Sequence, residues 1–352
     1  MNLSTQRNSS IELLRIICIV MIIVLHSIGF NQCCPGVSGS ILGALGNCSV
    51  TTFILISGYF GVTNNPKKIF RLRNIASFYI LGAIFLKYLM GDGITPNAVF
   101  SGIFPAISGK YWFLTSYIVL LILSPYINQL ITSLENETFS ILVVIILFIL
   151  YLIPTFLKHD LVHDGGKGIL QMIGIYIIGR YISVHHLGEK AKTKWLLLSL
   201  ACIIFCIVGL NRLQQIAGLS AYFNARGLNY NFDADNSIFI LMASFCIFSL
   251  FIRKSFSNKT INKIAGSVFA VYIMEWYARP LLLQYVDIPA LSSAIQPIAI
   301  IGFAIVIFLI CAAIDQLRMY ATFRLERGFE SFEYASFEKA KESFNRILKH
   351  CP

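Results

Sequence analysis

The amino-acid sequence predicts an all-α protein, a polytopic membrane helical bundle of about ten transmembrane helices. Three observations lead to this fold class: the composition, a series of apolar runs and the placement of basic residues. Of the 352 residues, 57% are hydrophobic and only 13% are charged, whereas soluble domains carry about a quarter charged residues. The net charge of +11 resides in short clusters between apolar runs. Cationic cytoplasmic loops explain such clusters, so we expect no nucleic-acid partner.

Each of ten apolar runs is long enough to cross a bilayer as a helix. In chain order they cover residues 11–30, 39–61, 70–90, 111–131, 138–157, 168–184, 195–217, 236–252, 264–285 and 295–316. We therefore expect a membrane domain over residues 1–317. The charged remainder, residues 318–352, is interpreted as a cytoplasmic basic amphipathic tail that lies on the membrane surface.

Lysine and arginine residues determine the predicted orientation. With the N-terminus in the cytoplasm, most of them lie in cytoplasmic loops or in the tail, and the opposite topology leaves few there. The cytoplasmic loop residues are Lys67, Lys68, Arg71, Arg73, Arg180, Lys190, Lys192, Lys194, Arg253, Lys254, Lys259 and Lys263. The positive-inside rule thus predicts that both termini are cytoplasmic (N-in and C-in) in a multi-pass protein of the cell (plasma or inner) membrane.

Arg15 and His26 interrupt the first apolar run. They are 11 residues apart, almost three helical turns, so their side chains share a helix face about 16 Å apart along the axis. Ionisable groups inside a spanning helix are costly and usually face protein or a water-filled cavity. A histidine is also the usual base for removing a proton from a hydroxyl. Glu12 precedes Arg15 by three residues, close enough to pair with it.

A cluster of four cations lies where the third run begins. Lys67, Lys68, Arg71 and Arg73 occur within seven residues, a density that suits a phosphate or pyrophosphate group. The alternative is ordinary positive-inside charge. Ser57 belongs to a Ser-Gly pair at the cytoplasmic end of the second run, where helix packing is the competing interpretation.

Four further residues are candidates for contact with a substrate or for tuning of His26. Glu275 and Arg279 share one face of the ninth run, and Glu275 lies near the predicted depth of His26. They either tune the histidine or form a purely structural ion pair. Tyr111 and Trp112 open the fourth run, where an aromatic belt at the membrane interface also explains them.

The outer segment 211–235 mixes charged and aromatic residues, which suits a sugar ring, although an ordinary exposed loop is the simpler interpretation. Its members are Arg212, Tyr222, Phe223, Arg226, Tyr230, Phe232, Asp233 and Asp235.

Four motifs together resemble those of the acyltransferase 3 family of integral membrane proteins. The segment RNSSIELLRIICIVMIIVLH resembles the family's Arg–ten residues–His signature, which falls on Arg15 and His26. FILISGYF resembles its Phe-x-x-x-Ser-Gly-aromatic element, and RLR its Arg-x-Arg element at Arg71 and Arg73. YWFL followed by LSPYIN is similar to its fourth-span pattern. In one departure, VYIMEW places Glu275 where many members carry a histidine.

The resemblance implies an O-acyltransferase that moves an acyl group, usually acetyl from acetyl-CoA, to a hydroxyl of a cell-surface glycan or a lipid-linked precursor. In that interpretation Arg71, Arg73 and Lys68, with Ser57 nearby, hold the donor at the cytoplasmic face, and its pantetheine arm passes Arg15. His26 then acts as a base or as an acyl-imidazole nucleophile. We expect no metal, and the oligomeric state is left open, a homo-oligomer included.

Two rival functions are compatible with the same composition. In a secondary transporter or a flippase for a lipid-linked sugar, Arg15, His26, Glu275 and Arg279 form a proton or substrate relay. The sequence shows neither an inverted repeat nor a matched pair of broken helices, which argues against this class. A membrane scaffold of a glycan-synthesis complex has no need of these intramembrane charges.

Overall fold

The computed structural model describes residues 7–62, 65–215, 221–222, 225 and 231–349. These residues form helices, turns and loops but no strand, which confirms the all-α class. The helices, labelled in chain order, are α1 (Ser9–Asn31), α2 (Val37–Phe60), α3 (Pro66–Leu89), α4 (Pro96–Ile103), α5 (Trp112–Ser133), α6 (Asn136–Leu147), α7 (Ile169–Val184), α8 (Thr193–Gln215), α9 (Ile238–Ile252), α10 (Lys259–Ala265), α11 (Val268–Leu283) and α12 (Gln296–Lys349). A π-helical segment, Phe148–Leu157, follows α6 directly.

Each of the ten predicted apolar runs coincides with a helix, but not all of these helices have the length of a span. Within the described part of the chain, 7 helices are long and apolar enough to cross a membrane: α1, α2, α3, α5, α6 with its π-helical extension, α8 and α12. Helices α7 and α9 are apolar but have only 16 and 15 residues. Helix α11 has 16 residues and carries two charged side chains. The chain is a helical membrane protein, while the number of ten spans and the N-in, C-in orientation stay predictions.

Local sequence explains where several of these helices begin. The side chain of Asn8 caps α1, and that of Ser237 caps α9, because each accepts a hydrogen bond from a backbone N–H of the first turn. Asn65 does the same for α3, and Pro66 occupies its first turn, where a missing N–H costs nothing. These caps place the helix starts at the ends of the bundle.

Helices α1 and α2 form the centre of the bundle. Helix α1 packs against α2, α11 and α12, and α2 packs in addition against α7 and α9. Gly58 of α2 meets Gly179 of α7 so closely that a Cβ atom on Gly58 would lie 2.4 Å from the carbonyl oxygen of Tyr176. Gly58 therefore has a packing role. The close contact with α7 fixes the position of the adjacent Ser57 near the end of α2.

Helix α12 continues as one helix of 54 residues through position 317, where we predicted the start of the tail. Next to that position, Asp315 Oδ1 accepts hydrogen bonds from the Tyr79 hydroxyl at 2.7 Å and from Arg318 Nε at 2.9 Å. The three side chains are buried between α3 and α12, where Arg318 neutralises Asp315 and Tyr79 adds a hydrogen bond. The domain boundary at residue 317 stays a prediction.

Beyond Arg318, α12 contacts the start of α3. The end of the molecule that carries Lys67, Lys68, Arg71 and Arg73 is called the basic end below. There the ring of Phe337 lies 6.0 Å from the ring of Phe70, and Lys67 Nζ lies 4.6 Å from the ring centre of Tyr334. The last part of α12 thus covers one side of the basic end.

Candidate active site

His26, Glu275 and Arg279 form one network between α1 and α11. His26 Nδ1 lies 2.8 Å from Glu275 Oε1, and Arg279 Nε donates to Glu275 Oε2 at 3.1 Å. Arg279 Nη1 also donates to the backbone oxygen of His26 at 2.9 Å. The side chains of Glu275 and Arg279 are 1% and 5% exposed, whereas that of His26 is 31% exposed. Only the histidine is therefore open to a reactant.

This geometry favours one tautomer of the imidazole. A carboxylate only accepts hydrogen bonds, so the contact with Glu275 Oε1 places the ring N–H of a neutral His26 on Nδ1. The lone pair of that tautomer lies on Nε2. Among the described residues, none hydrogen-bonds to Nε2. Nε2 is thus available to take a proton or to attack a carbonyl carbon.

Aromatic side chains surround this network. The Trp276 ring meets the His26 ring edge-on, with 6.4 Å between ring centres, and Tyr111 lies 6.4 Å from Trp276 and 5.9 Å from Tyr272. Tyr111 is buried, so it contributes to the interior around the site and not to an exposed belt. Trp112 instead packs on Phe113 at 5.9 Å, next to a separate core cluster.

Arg15 and Glu12 form the pair that their spacing predicted. Arg15 Nη1 donates to Glu12 Oε1 at 3.2 Å, with the arginine side chain 35% exposed and the glutamate side chain 8% exposed. Glu12 therefore orients the guanidinium without burying it. Three turns of α1 separate this pair from His26.

A tyrosine joins Ser57 to the basic end. The hydroxyl of Tyr117 in α5 lies 3.3 Å from Ser57 Oγ and accepts a hydrogen bond from Lys68 Nζ at 3.3 Å. The Tyr117 ring stacks on Phe113, with 5.7 Å between ring centres. The structure thus brings together two predicted donor-site residues through a third that sequence reasoning missed.

The two arginines of the basic end differ in their surroundings. Arg71 is exposed and forms no hydrogen bond or ion pair with any described residue. Arg73 pairs with Glu333 of α12 and also donates to Asn74 Oδ1, at 2.6 Å from Nη2. Asn74 Nδ2 in turn donates to Glu333 Oε2 at 2.8 Å. One predicted anion ligand is therefore open, and the other already holds a carboxylate.

Sequence reasoning missed Tyr117, Trp276 and Glu333. Tyr117 lies between the two motifs of α5, and Trp276 lies in the VYIMEW segment, so an aromatic residue beside a motif was the available signal. No signal marked Glu333, which lies 260 residues from its partner Arg73.

The outer segment is described only in part, because Phe223, Arg226 and Tyr230 lie outside the described residues. Lys158 Nζ lies 3.4 Å from the ring centre of Phe232. Asn211 Nδ2 donates to Asp233 Oδ1 at 3.2 Å. Asn211 and Asp235 are buried, whereas Tyr222 and Ala225 are exposed, so the described part of the segment is an exposed loop only in part.

Comparison with known proteins identifies a family. A family model described as an acyltransferase domain, Acyl_transf_3, matches residues 8–315. No curated protein and no solved structure matches the chain. The matched range includes α1 with His26, the basic end, and α11 with Glu275 and Arg279.

Proposed function

The chain belongs to the acyltransferase 3 family and is a membrane acyltransferase. From this premise we propose that it transfers an acyl group, in the first instance acetyl, from acyl-CoA to a hydroxyl of a cell-surface glycan or its lipid-linked precursor. The observation that carries the proposal is the contact of 2.8 Å between His26 Nδ1 and Glu275 Oε1. This contact leaves Nε2 as the basic atom of a side chain that is 31% exposed.

The proposed donor path begins at the basic end. Arg71, Arg73 and Lys68 are suited to the phosphates of coenzyme A, because charge-assisted hydrogen bonds to phosphate are strong and arginine binds it in two-point fashion. Ser57 and Tyr117 lie next to Lys68 on the way into the bundle. The pantetheine arm then passes Arg15, which brings the thioester toward His26.

In the proposed reaction, Nε2 of His26 removes the proton of the acceptor hydroxyl. The oxygen of that hydroxyl attacks the thioester carbonyl carbon at the same time. The new C–O bond forms, the C–S bond breaks, and the thiolate of coenzyme A leaves and takes up the proton from the imidazolium. The Glu275 carboxylate stabilises the imidazolium while it exists, and the hydrogen bond from Arg279 holds that carboxylate in place. The alternative of an acyl group carried on Nε2 balances equally and is separable by acid-quench trapping of labelled enzyme.

The test compares the glycans of cells that contain the wild-type chain, His26→Ala or His159→Ala. His159 is exposed and lies outside the network, so its variant is the matched control. We expect mass spectrometry to show added acyl mass on glycans with wild type and with His159→Ala, and none with His26→Ala at equal protein levels in the membrane.

Two outcomes contradict the proposal. If His26→Ala retains the acyl mass, His26 is not the reacting base. If the wild-type chain adds no acyl mass but changes how much lipid-linked sugar reaches the outer leaflet, the transporter or flippase is the correct function.

A further inference from the structure

A small cavity lies at the end of the molecule opposite the basic end. Its volume is about 280 Å³, and it is open to the surface. Ile28 near the end of α1, Gly36 and Ser40 around the start of α2, Arg212 of α8 and Asp233 before α9 contribute to its lining. Segments distant in sequence therefore converge on one polar cavity, which includes Arg212 and Asp233 of the outer segment and none of the residues proposed above for catalysis or donor binding.

Asp233 is held rigidly in this cavity. Asn47 Nδ2 donates to its backbone oxygen at 2.6 Å, and Asn211 Nδ2 donates to its Oδ1 at 3.2 Å. Asn211 is itself fixed, because its Oδ1 accepts from the backbone N–H of Phe232 at 2.8 Å. Burial raises the pKa of the Asp233 carboxyl above its usual range. A carboxyl fixed at its backbone and at one oxygen is a preorganised acceptor for a ligand hydroxyl.

Arg212 reaches the cavity because position 36 is a glycine. Gly36 has φ +85°, and a Cβ atom there would lie 2.9 Å from Arg212 Nη2. Any other residue would both strain the backbone and push the guanidinium away. The cavity thus combines a guanidinium donor with a carboxyl acceptor, and the Ser40 hydroxyl can serve as either.

This donor and acceptor pattern indicates the ligand class. Hydroxyls of a sugar ring both donate and accept, so they match a cavity that is lined by a carboxyl, a guanidinium and a hydroxyl. The Asp233 carboxyl disfavours a phosphate or another anion, and an apolar ligand would bury that carboxyl against apolar surface. The cavity volume of about 280 Å³ lies just below the roughly 300 to 1,000 Å³ of pockets for drug-sized ligands. It therefore suits one sugar unit and not a longer segment of a polymer.

The cavity lies at the same end of α1 as the catalytic candidate. Ile28 follows His26 by two residues, about 3 Å of helix rise, and side chains two residues apart point to different faces of a helix. The cavity and His26 therefore lie at similar depth on different faces of α1.

We propose that this cavity binds a single neutral sugar unit of the acceptor, with Asp233 and Arg212 bonding hydroxyls of that sugar. This inference rests on the proposed function for the role of the sugar as acceptor. The binding itself does not depend on acyl transfer and can be measured without acetyl-CoA.

The test uses the full chain in lipid nanodiscs and methyl glycosides of glucose, galactose and N-acetylglucosamine as probes. Saturation-transfer NMR detects weak sugar binding directly. We expect wild type to bind at least one glycoside, and Asp233→Asn, which keeps the size of the side chain, to weaken that binding about tenfold, as loss of a charged hydrogen-bond partner does. Ser40→Ala is a milder second variant, expected to weaken binding about threefold.

Asp92→Asn is the matched control, because Asp92 is an exposed carboxylate after α3 and lies outside the cavity. Size-exclusion profiles of all variants check that each is folded. The proposal is overturned if no glycoside binds wild type, if inorganic phosphate binds there instead, or if folded Asp233→Asn and Ser40→Ala bind as wild type does.

The two proposals fail in distinguishable ways. Glycoside binding that depends on Asp233 without acyl transfer in cells rejects the proposed function and retains the sugar site. Acyl transfer that depends on His26 without glycoside binding retains the function and rejects the cavity as the acceptor site.

Discussion

Two glutamate–histidine pairs stand in contrasting surroundings in this molecule. His26 Nδ1 lies 2.8 Å from Glu275 Oε1, with the glutamate side chain 1% exposed. His186 Nδ1 lies 3.1 Å from Glu189 Oε1 near the basic end, where the side chains are 71% and 33% exposed. Hydrogen bonds from Tyr59 and His186 lower the pKa of Glu189, but water reaches both partners there. The distances between nitrogen and oxygen are similar in the two pairs, but the exposure of the side chains to water differs.

The contrast distinguishes the buried network around His26 from charged groups that are exposed to solvent. A buried carboxylate between a histidine and an arginine acts through a low dielectric, where charge interactions are strong and losing one partner is costly. Exposed pairs are screened, and each contributes about 0 to 1 kcal/mol. Large effects are therefore expected around His26, and smaller ones at the basic end, where Arg71 and the Arg73–Glu333 pair lie.

The largest expected effect follows from Glu275→Gln. The amide still accepts a hydrogen bond from Nδ1 of His26 but carries no charge to stabilise an imidazolium. We expect kcat for acyl transfer to fall about 100-fold, with the KM for acetyl-CoA unchanged, in steady-state assays of the protein in nanodiscs.

Glu189→Gln is the matched control, because it removes a carboxylate from the exposed histidine pair. We expect its kcat to stay within about twofold of wild type, since exposed pairs contribute little. Equal losses in the two variants would contradict the distinction between the buried and the exposed pair. A rise in KM without a fall in kcat for Glu275→Gln would assign Glu275 to donor binding.

The positions of the helices were largely predictable from the sequence for a physical reason. Backbone polar groups inside a membrane must bond within the helix, so apolar runs of sufficient length have few alternatives. The run 264–285 contains the helix α11, and the run 11–30 contains most of α1. The length of α12 was less predictable, because the apolar run 295–316 ends where the helix continues through charged residues to Lys349.

The site was predictable only where one helix carries both partners. Glu12 with Arg15, and Glu275 with Arg279, are separated by one helical turn, so their spacing predicts contact. The depth estimate suggested that Glu275 reaches His26, but their contact depends on how α1 and α11 pack. Tyr117 bridges Ser57 and Lys68 from a third helix. Such contacts follow from tertiary packing, which a single sequence does not reveal.

At the basic end, Arg71→Ala should have an intermediate effect. Loss of one charge-assisted hydrogen bond to phosphate costs about 1.5 to 3 kcal/mol, so we expect the KM for acetyl-CoA to rise at least about tenfold with little change in kcat. Arg253→Ala is the control, because Arg253 is an exposed arginine of the predicted cytoplasmic side outside the cluster. An unchanged dependence on acetyl-CoA for Arg71→Ala would reject the anchoring role.

The smallest expected effect comes from Glu333→Gln, which tests whether α12 restrains the donor site. Glu333 holds Arg73 by an ion pair and bonds Asn74 as well, so a donor phosphate must compete with this carboxylate. The Arg73 side chain is 36% exposed and the Glu333 side chain 12%, and loss of a competing contact of about 0.5 to 1 kcal/mol should lower the KM for acetyl-CoA about twofold to fivefold. Glu342→Gln, farther along the exposed part of α12, should leave the KM unchanged. If Glu333→Gln instead raises the KM, Glu333 orients Arg73 toward the donor, and the basic end shares the preorganisation of the buried network around His26.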